Sequence, residues 1–209
     1  MFVTFEGVEG SGKSTQMARL RAALEAAGRT VCLTRQPGGC ALGQTLRGIL
    51  LSQKTAGLDD RAELFLYLAD RAQHVAEVIR PALAAGAVVV CDRYTDSTVA
   101  YQGYGRGLDT TLLQTLNAVA AAGFVPDLTL LLDLDPAVGL TRATSRNAAA
   151  GTAEAEGRFE AERLEFHERV RQGYRALAAA EPTRFAVIDA APGPDAVAEA
   201  IWRVVAARL

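Results

Sequence analysis

The chain has 209 residues, 50% of them hydrophobic, with 22 basic against 24 acidic side chains and a formal net charge of -2. Such a length and apolar content predict a single well-buried domain, and the near-neutral charge removes any global attraction to nucleic acid or anionic lipid, so neither is expected as a partner. Three cysteines, Cys32, Cys40 and Cys91, lack metal-ligand spacing and read as free thiols in a reducing compartment. With no basic leader and no apolar run approaching the roughly 20 residues of a membrane span, a cytoplasmic location is expected.

Five apolar runs are predicted strands: FVTFE (2–6), TVCLTR (30–35), AVVVCDR (87–93), LTLLLDLD (128–135) and FAVID (185–189). Helical patterns separate them. The first should start near Lys13 and stop at Gly28, with Met17, Leu20 and Leu24 on one face. A second covers LGQTLRGILLS (42–52), and a third runs from about Asp60 to Arg80, closed by Pro81. Further helices are expected over 109–122, 136–146, 160–180 and 194–208. Near-continuous apolar strands alternating with helices predict an α/β fold whose parallel sheet is covered on both faces. The stretch NAAAGTAEAEG (147–157) has no large apolar residue and reads as a mobile surface segment.

Glu6, Arg35, Asp92 with Arg93, Asp133 with Asp135, and Asp189 all fall at or just past the C-terminal ends of these runs. In a parallel sheet those ends share one edge, where ligands of open α/β sheets bind.

Between the first strand and the first helix stands GVEGSGKST, in which Gly7, Val8, Glu9, Gly10, Ser11, Gly12, Lys13, Ser14 and Thr15 spell a phosphate-binding loop. Backbone N–H groups and the following helix N-terminus cradle the phosphates, Lys13 adds a point charge, and Ser14 is the expected Mg2+ ligand. Lys13 is one of only two lysines, the other being Lys54, in a chain that otherwise uses arginine. A compact ammonium fits where a planar fork does not. The loop predicts ATP as co-substrate. No Asn-Lys-x-Asp base reader accompanies it, which argues against a guanine switch, and the chain offers no obvious arms for the larger assemblies of a motor or partition ATPase, which favours a small kinase.

Taken with TRQPGG, ELFLYLADRAQH, DRYTDSTVAYQGYGRG, PDLTLLLDLDP and RFEAE, the loop resembles that of the bacterial thymidylate kinases, and the motifs follow the family's order along nearly the whole chain. The resemblance implies the P-loop nucleoside monophosphate kinase fold with a five-stranded parallel sheet, transfer of the γ-phosphoryl group of ATP to dTMP, Mg2+ as cofactor and a homodimer. By similarity Arg93 holds the dTMP phosphate and Arg35 positions the acceptor. Tyr67 and Arg71 face thymine, and Thr98, Tyr101 and Gln102 line base and deoxyribose. Glu9 faces the acceptor's 3'-hydroxyl, and Asp92 joins Ser14 at the metal. The family's lid corresponds to residues 142–158. Because the phosphate loop carries no arginine, Arg146 and Arg158 are expected to stabilise the transferring phosphoryl group, and Arg142 to pack on adenine. Three positions depart from the family's usual pattern: Gln36 replaces Glu, Cys40 replaces Thr and Gly157 replaces Asp. Two rivals to this reading are a deoxynucleoside kinase with Asp92 as base and a nucleotide-binding regulator without transfer activity.

Overall fold

The computed structural model describes residues 1–209, the side chain of Glu156 excepted. Five parallel strands, β1 (Phe2–Glu6), β2 (Val31–Arg35), β3 (Val88–Asp92), β4 (Leu128–Asp133) and β5 (Phe185–Asp189), lie in the order β2-β3-β1-β4-β5. The three central strands are buried almost throughout, while Leu33 on β2 and Val187 on β5 reach solvent. Those are the two edges. A strand covered on both faces must be apolar at successive positions, which is why the central strands read as unbroken runs.

Along β1 the side chains alternate: Val3 and Phe5 enter the larger core cluster with Leu24, Val170 and Ile201, and Phe2 enters a smaller cluster with Ile79 and Tyr94. Each such side chain contributes about 1.5–3 kcal/mol on full burial. The strand ends are in register, Arg35 opposite Asp92 and Asp133 opposite Asp189, so the charged residues gather along one edge as expected.

Helix α1 (Lys13–Ala26) follows β1, and the chain turns at Gly28, whose φ is 77°. Helix α2 (Ala41–Leu51) is capped by Cys40, whose sulfur accepts from the Gly43 N–H at 3.4 Å. The Thr-to-Cys departure therefore leaves a capping group in place, though a weaker one. Helix α3 (Asp60–His74) starts at the Asp59 cap. It does not end at Pro81. A π-helical turn over Val75–Ile79 joins it to α4 (Arg80–Ala84), where Pro81 falls in the first turn and its missing N–H costs little.

Helix α5 (Thr95–Thr98) runs into a second π-helical stretch, Val99–Gly105, and α6 (Thr110–Ala120) follows. Helix α7 (Pro136–Ala150) is longer than expected, and α8 (Ala153–Glu156) comes after the Gly151 turn, so most of 147–157 is helical. Alanine, the strongest helix former, sustains these turns without large apolar side chains. Asn147 and Gly157 are buried. Anchorage here comes from polar contacts: Asn147 Nδ2 donates to Glu160 at 3.2 Å, Lys54 pairs with Glu154 at 3.3 Å, and the Arg158 N–H donates to the Leu51 carbonyl at 3.1 Å. Helix α9 (Leu164–Ala180) begins four residues later than expected, and α10 (Pro194–Ala206) closes the chain. Among the described residues no helix is long and apolar enough to cross a membrane.

Candidate active site

The phosphate loop leaves β1 through Gly7 at φ 136° and enters α1 through Gly12 at φ 90°. At its crest Gly10 has φ 67°, and a Cβ there would lie 2.0 Å from the carbonyl oxygen of Gly139 on α7. Only glycine suits both the torsion and the approach. Lys13 is buried and curls back over the loop, its Nζ donating to the carbonyls of Gly7 and Val8 at 3.0 Å each and to Ser11 Oγ at 3.3 Å. Burial, reinforced by the charge of Arg93, pushes its pKa down to about 8 despite the carboxylates of Asp92, Glu9 and Glu6.

A cavity of about 480 Å3 opens beside this loop. Its lining joins Glu9 to Thr15 with Arg35, Tyr67, Arg71, Asp92, Arg93, Thr98, Tyr101, Gln102, Arg142 and Arg146. With Arg47 that makes seven basic side chains, against the carboxylates of Glu9, Asp92 and Glu160. In a chain of net charge -2 this concentration marks a local anion site.

Glu9 is the hinge between the loop and the rest of the cavity. Its Oε1 accepts from Arg93 Nη2 at 3.0 Å and from the Tyr101 hydroxyl at 2.5 Å, and its Oε2 pairs with His167 Nδ1 at 3.1 Å. Burial works against its charge, but the His167 hydrogen bond and the charges of Arg93, His167 and Lys13 outweigh it, holding the carboxyl well below its ordinary range. Arg93, at the end of β3, has the left-handed φ of 67° and is pinned by its own N–H to the Phe5 carbonyl at 2.9 Å. Its Nη1 reaches Ser97 Oγ and the Tyr174 hydroxyl, and its guanidinium sits 4.7 Å over the Tyr101 ring. The Nε–H and one Nη2–H have no partner among the described residues. Glu6, below it, accepts from the Tyr94 N–H, Ser97 and Tyr174 at 2.6–2.7 Å. Desolvation, with the charge of Asp96, raises its pKa.

Arg71 on α3 is buried at 2% exposure, and its partners are all neutral: Gln36 Oε1, Thr98 Oγ1, Asn117 Oδ1 and the Tyr94 carbonyl. Because Arg71 takes the Gln36 oxygen, the Gln36 amide nitrogen donates to His74 Nδ1 at 2.9 Å. His74 must then carry its hydrogen on Nε2, toward Thr34 at 2.6 Å. Desolvation and the Arg71 charge lower its pKa to about 4, so it stays neutral.

The profile of the thymidylate kinase family matches residues 5–201. A thymidylate kinase of Solidesulfovibrio magneticus is 92% identical over 98% of both chains, and that of Desulfovibrio desulfuricans is 64% identical over 94% of this chain and 91% of the relative. The chain belongs to the thymidylate kinase family. The crystal structure of the family member from Ehrlichia chaffeensis, 35% identical, superposes with a TM-score of 0.78 over 98% of this chain and 97% of that one. The P-loop nucleoside monophosphate kinase fold expected from the family motifs is thus present.

Most of the residues expected from family likeness meet in the cavity, but several have different partners. Thr98 and Gln102, expected at the nucleotide, are engaged by Arg71 and by Glu63, which accepts from Gln102 Nε2 at 2.7 Å. Arg158 does not line the cavity. It is buried, donating to the Leu50 carbonyl at 2.6 Å and ion-paired to Glu63, which Arg106 also contacts at 3.4 Å. The buried carboxylate of Glu63 is a stronger attraction for a guanidinium than an open, solvated cavity rim. Gly7 and Val8 contribute carbonyls to Lys13 rather than surface to the cavity.

Sequence reading missed His167, Tyr174, Ser97, Glu63 and Asn117, all of which hold cavity residues in place. Asp92 Oδ1 is buried without a hydrogen-bond partner, and both Asp92 and the exposed Ser14 line the cavity. An orphaned carboxylate oxygen beside a phosphate loop fits a hard divalent cation. Among the described residues no cluster of three or more His, Cys, Asp or Glu forms a self-sufficient metal cage.

Proposed function

We infer that the cavity holds two nucleotides at once and that the chain carries out its family's reaction there, transferring the γ-phosphoryl group of ATP to dTMP. The observation that carries this is Arg93. Fixed by Glu9, Ser97 and Tyr174, it still offers two N–H donors beside the phosphate loop, a fork suited to a second phosphate. On the donor side, Lys13 exchanges the Gly7 and Val8 carbonyls for phosphate oxygens of ATP, and the backbone of Gly10 to Thr15 encloses the chain of phosphates. Arg146 lies on the cavity rim to neutralise charge developing on the transferring group, and Arg142 packs against adenine.

On the acceptor side, Tyr67 and Arg71 meet the base and Tyr101 the sugar, while Glu9 keeps an Oε2 lone pair to accept from the 3'-hydroxyl. Arg35 completes the positive lining, and Gln102 and Thr98 hold their neighbours in place. An acceptor phosphate has a second pKa of about 6, so it is already ionised and needs no general base. Positioning and charge neutralisation suffice. Ser14 and Asp92 would hold Mg2+, which would supply charge neutralisation on the ATP phosphates.

Residues 142–158 act as a lid in this proposal, supported by the two glycines that flank α8, and the protein works as a cytoplasmic homodimer. Exposed Phe65 on α3 with Leu112 and Val119 on α6 supports the dimer. The testing experiment is a coupled assay of ADP release with dTMP, dUMP, thymidine and shikimate as acceptors. Turnover with dTMP far above thymidine is expected. A preference for thymidine would instead make Asp92 the base of a nucleoside kinase.

A further inference from the structure

His167, on α9, is fully buried and lies far in sequence from the phosphate loop, yet both of its ring nitrogens are engaged. Nδ1 lies 3.1 Å from Glu9 Oε2, and Nε2 lies 3.0 Å from the carbonyl oxygen of Phe159. A carbonyl oxygen only accepts, so Nε2 must carry a hydrogen. The other partner is a carboxylate. For it to donate instead, Glu9 would have to be protonated, and the adjacent charges of Arg93 and Lys13 with the Tyr101 hydroxyl oppose that. With Glu9 ionised, Nδ1 must also carry a hydrogen.

We propose that His167 is a positioning residue for the acceptor, doubly protonated, that ties the Glu9 carboxylate of the phosphate loop to the Phe159–Glu160 wall of the cavity. The inference rests on the assignment of Glu9 to the acceptor side. The tie spans three parts of the chain, the loop at Glu9, the segment leading out of the lid at Phe159, and α9, and joins them by hydrogen bonds. Phe159 is in turn packed edge-on against Tyr101 at a centroid distance of 5.4 Å, and Tyr101 returns a hydrogen bond to Glu9. The circuit Glu9, His167, Phe159, Tyr101 is closed. Its effect is to hold Glu9 Oε1 on Arg93 and to leave one lone pair of Oε2 facing the cavity. Without His167 the carboxylate is free to turn toward Arg93 and Lys13, and the acceptor loses its reference point while the ATP site keeps its backbone amides.

The chain has two histidines, which makes the test direct. In a long-range 15N–1H spectrum at neutral pH, His167 should show a directly bonded hydrogen on both ring nitrogens. His74 serves as the internal neutral reference, with a hydrogen on Nε2 alone. A single hydrogen on His167 would overturn the proposal. In kinetics, His167→Gln, which can donate to only one of the two acceptors, and His167→Phe, which donates to neither, should each raise the KM for dTMP about tenfold. The KM for ATP should stay within twofold. Equal rises for both substrates, or none, would count against a positioning role. If a variant does not fold, the spectrum of the unaltered protein decides. Failure to phosphorylate dTMP at all would remove the functional assignment but leave the spectral outcome to stand or fall by itself.

Discussion

Replacing Arg71 by lysine keeps the charge and removes the fork. Nη1 alone serves Thr98 and Asn117, so a single ammonium can take over both, but Gln36 Oε1 is met by Nε and the Tyr94 carbonyl by Nη2. Those two acceptors lose their donor in a fully buried setting. At about 1–3 kcal/mol each the cost to stability is about 2–6 kcal/mol. For a chain of this size each kcal/mol lowers the melting temperature by about 2–4 °C, giving a fall of about 4–24 °C. Four of the five guanidinium N–H groups are used within the protein, and the fifth, on Nη2, has no partner among the described residues. If the base carbonyl takes it, its loss costs about 1.5–3 kcal/mol, or about a 10- to 100-fold rise in the KM for dTMP. The assay varies dTMP at saturating ATP, then ATP at saturating dTMP, beside a thermal melt. A KM for dTMP that stays put, or rises in step with that for ATP, refutes the assignment of Arg71 to the base.

Lys13 gives a proton-linked prediction. With the site empty its pKa is about 8, and phosphate oxygens should return it toward its ordinary value, so ATP binding between about pH 8 and 9 should take up a proton. Calorimetry in two buffers of different ionisation enthalpy measures this, and identical heats would contradict it. The same shift means that between about pH 8 and the ordinary value near 10.4 the unfolded chain holds a proton the folded one lacks, so this group's contribution to stability rises with pH in that window. Asp92→Asn should raise the Mg2+ concentration needed for half-maximal turnover by about tenfold, and chelation by EDTA should stop turnover until Mg2+ is restored; an unchanged Mg2+ dependence would remove Asp92 from the metal. Gly139→Ala would place a Cβ 2.3 Å from the Glu9 carbonyl oxygen. Overpacking of this kind costs about 1–3 kcal/mol. Because it displaces the loop shared by both substrates, both KM values should rise; an unaltered melt and unaltered kinetics would contradict the close approach.

The sheet was legible because its central strands are buried on both faces, a condition that writes itself into consecutive residues. The end of α1 was legible from local chemistry, since Gly28 takes the left-handed φ of 77° at the turn that follows the helix. Pro81 misled because a π-helical turn upstream shifts the hydrogen-bond ladder so that the proline begins a helix, and nothing in the residues 75–79 announces that shift. The stretch 147–157 misled because it lacks large apolar side chains, whereas polar contacts from Asn147, Glu154 and the Arg158 backbone hold it. In the site, the phosphate loop was readable from spacing alone, since its ligating groups are backbone. Arg71, Thr98, Tyr101 and Gln102 came from family likeness, and their periodicity alone would have placed them on an ordinary helix face. His167 left no such trace: its partner Glu9 is 158 positions away, and a lone histidine on an amphipathic helix carries no signal of what folds against it.

Glu63 has two guanidinium neighbours, Arg106 and Arg158, from separate stretches of the chain, and Arg106 reaches Glu162 as well. Were Arg158 its sole counter-ion, lifting the lid's trailing end would strand a buried negative charge, a change costing several kcal/mol. With Arg106 staying behind, the carboxylate remains compensated when Arg158 lets go. The fold thus keeps a spare cation beside Glu63, and the loss that remains when Arg158 leaves is its hydrogen bond to the Leu50 carbonyl.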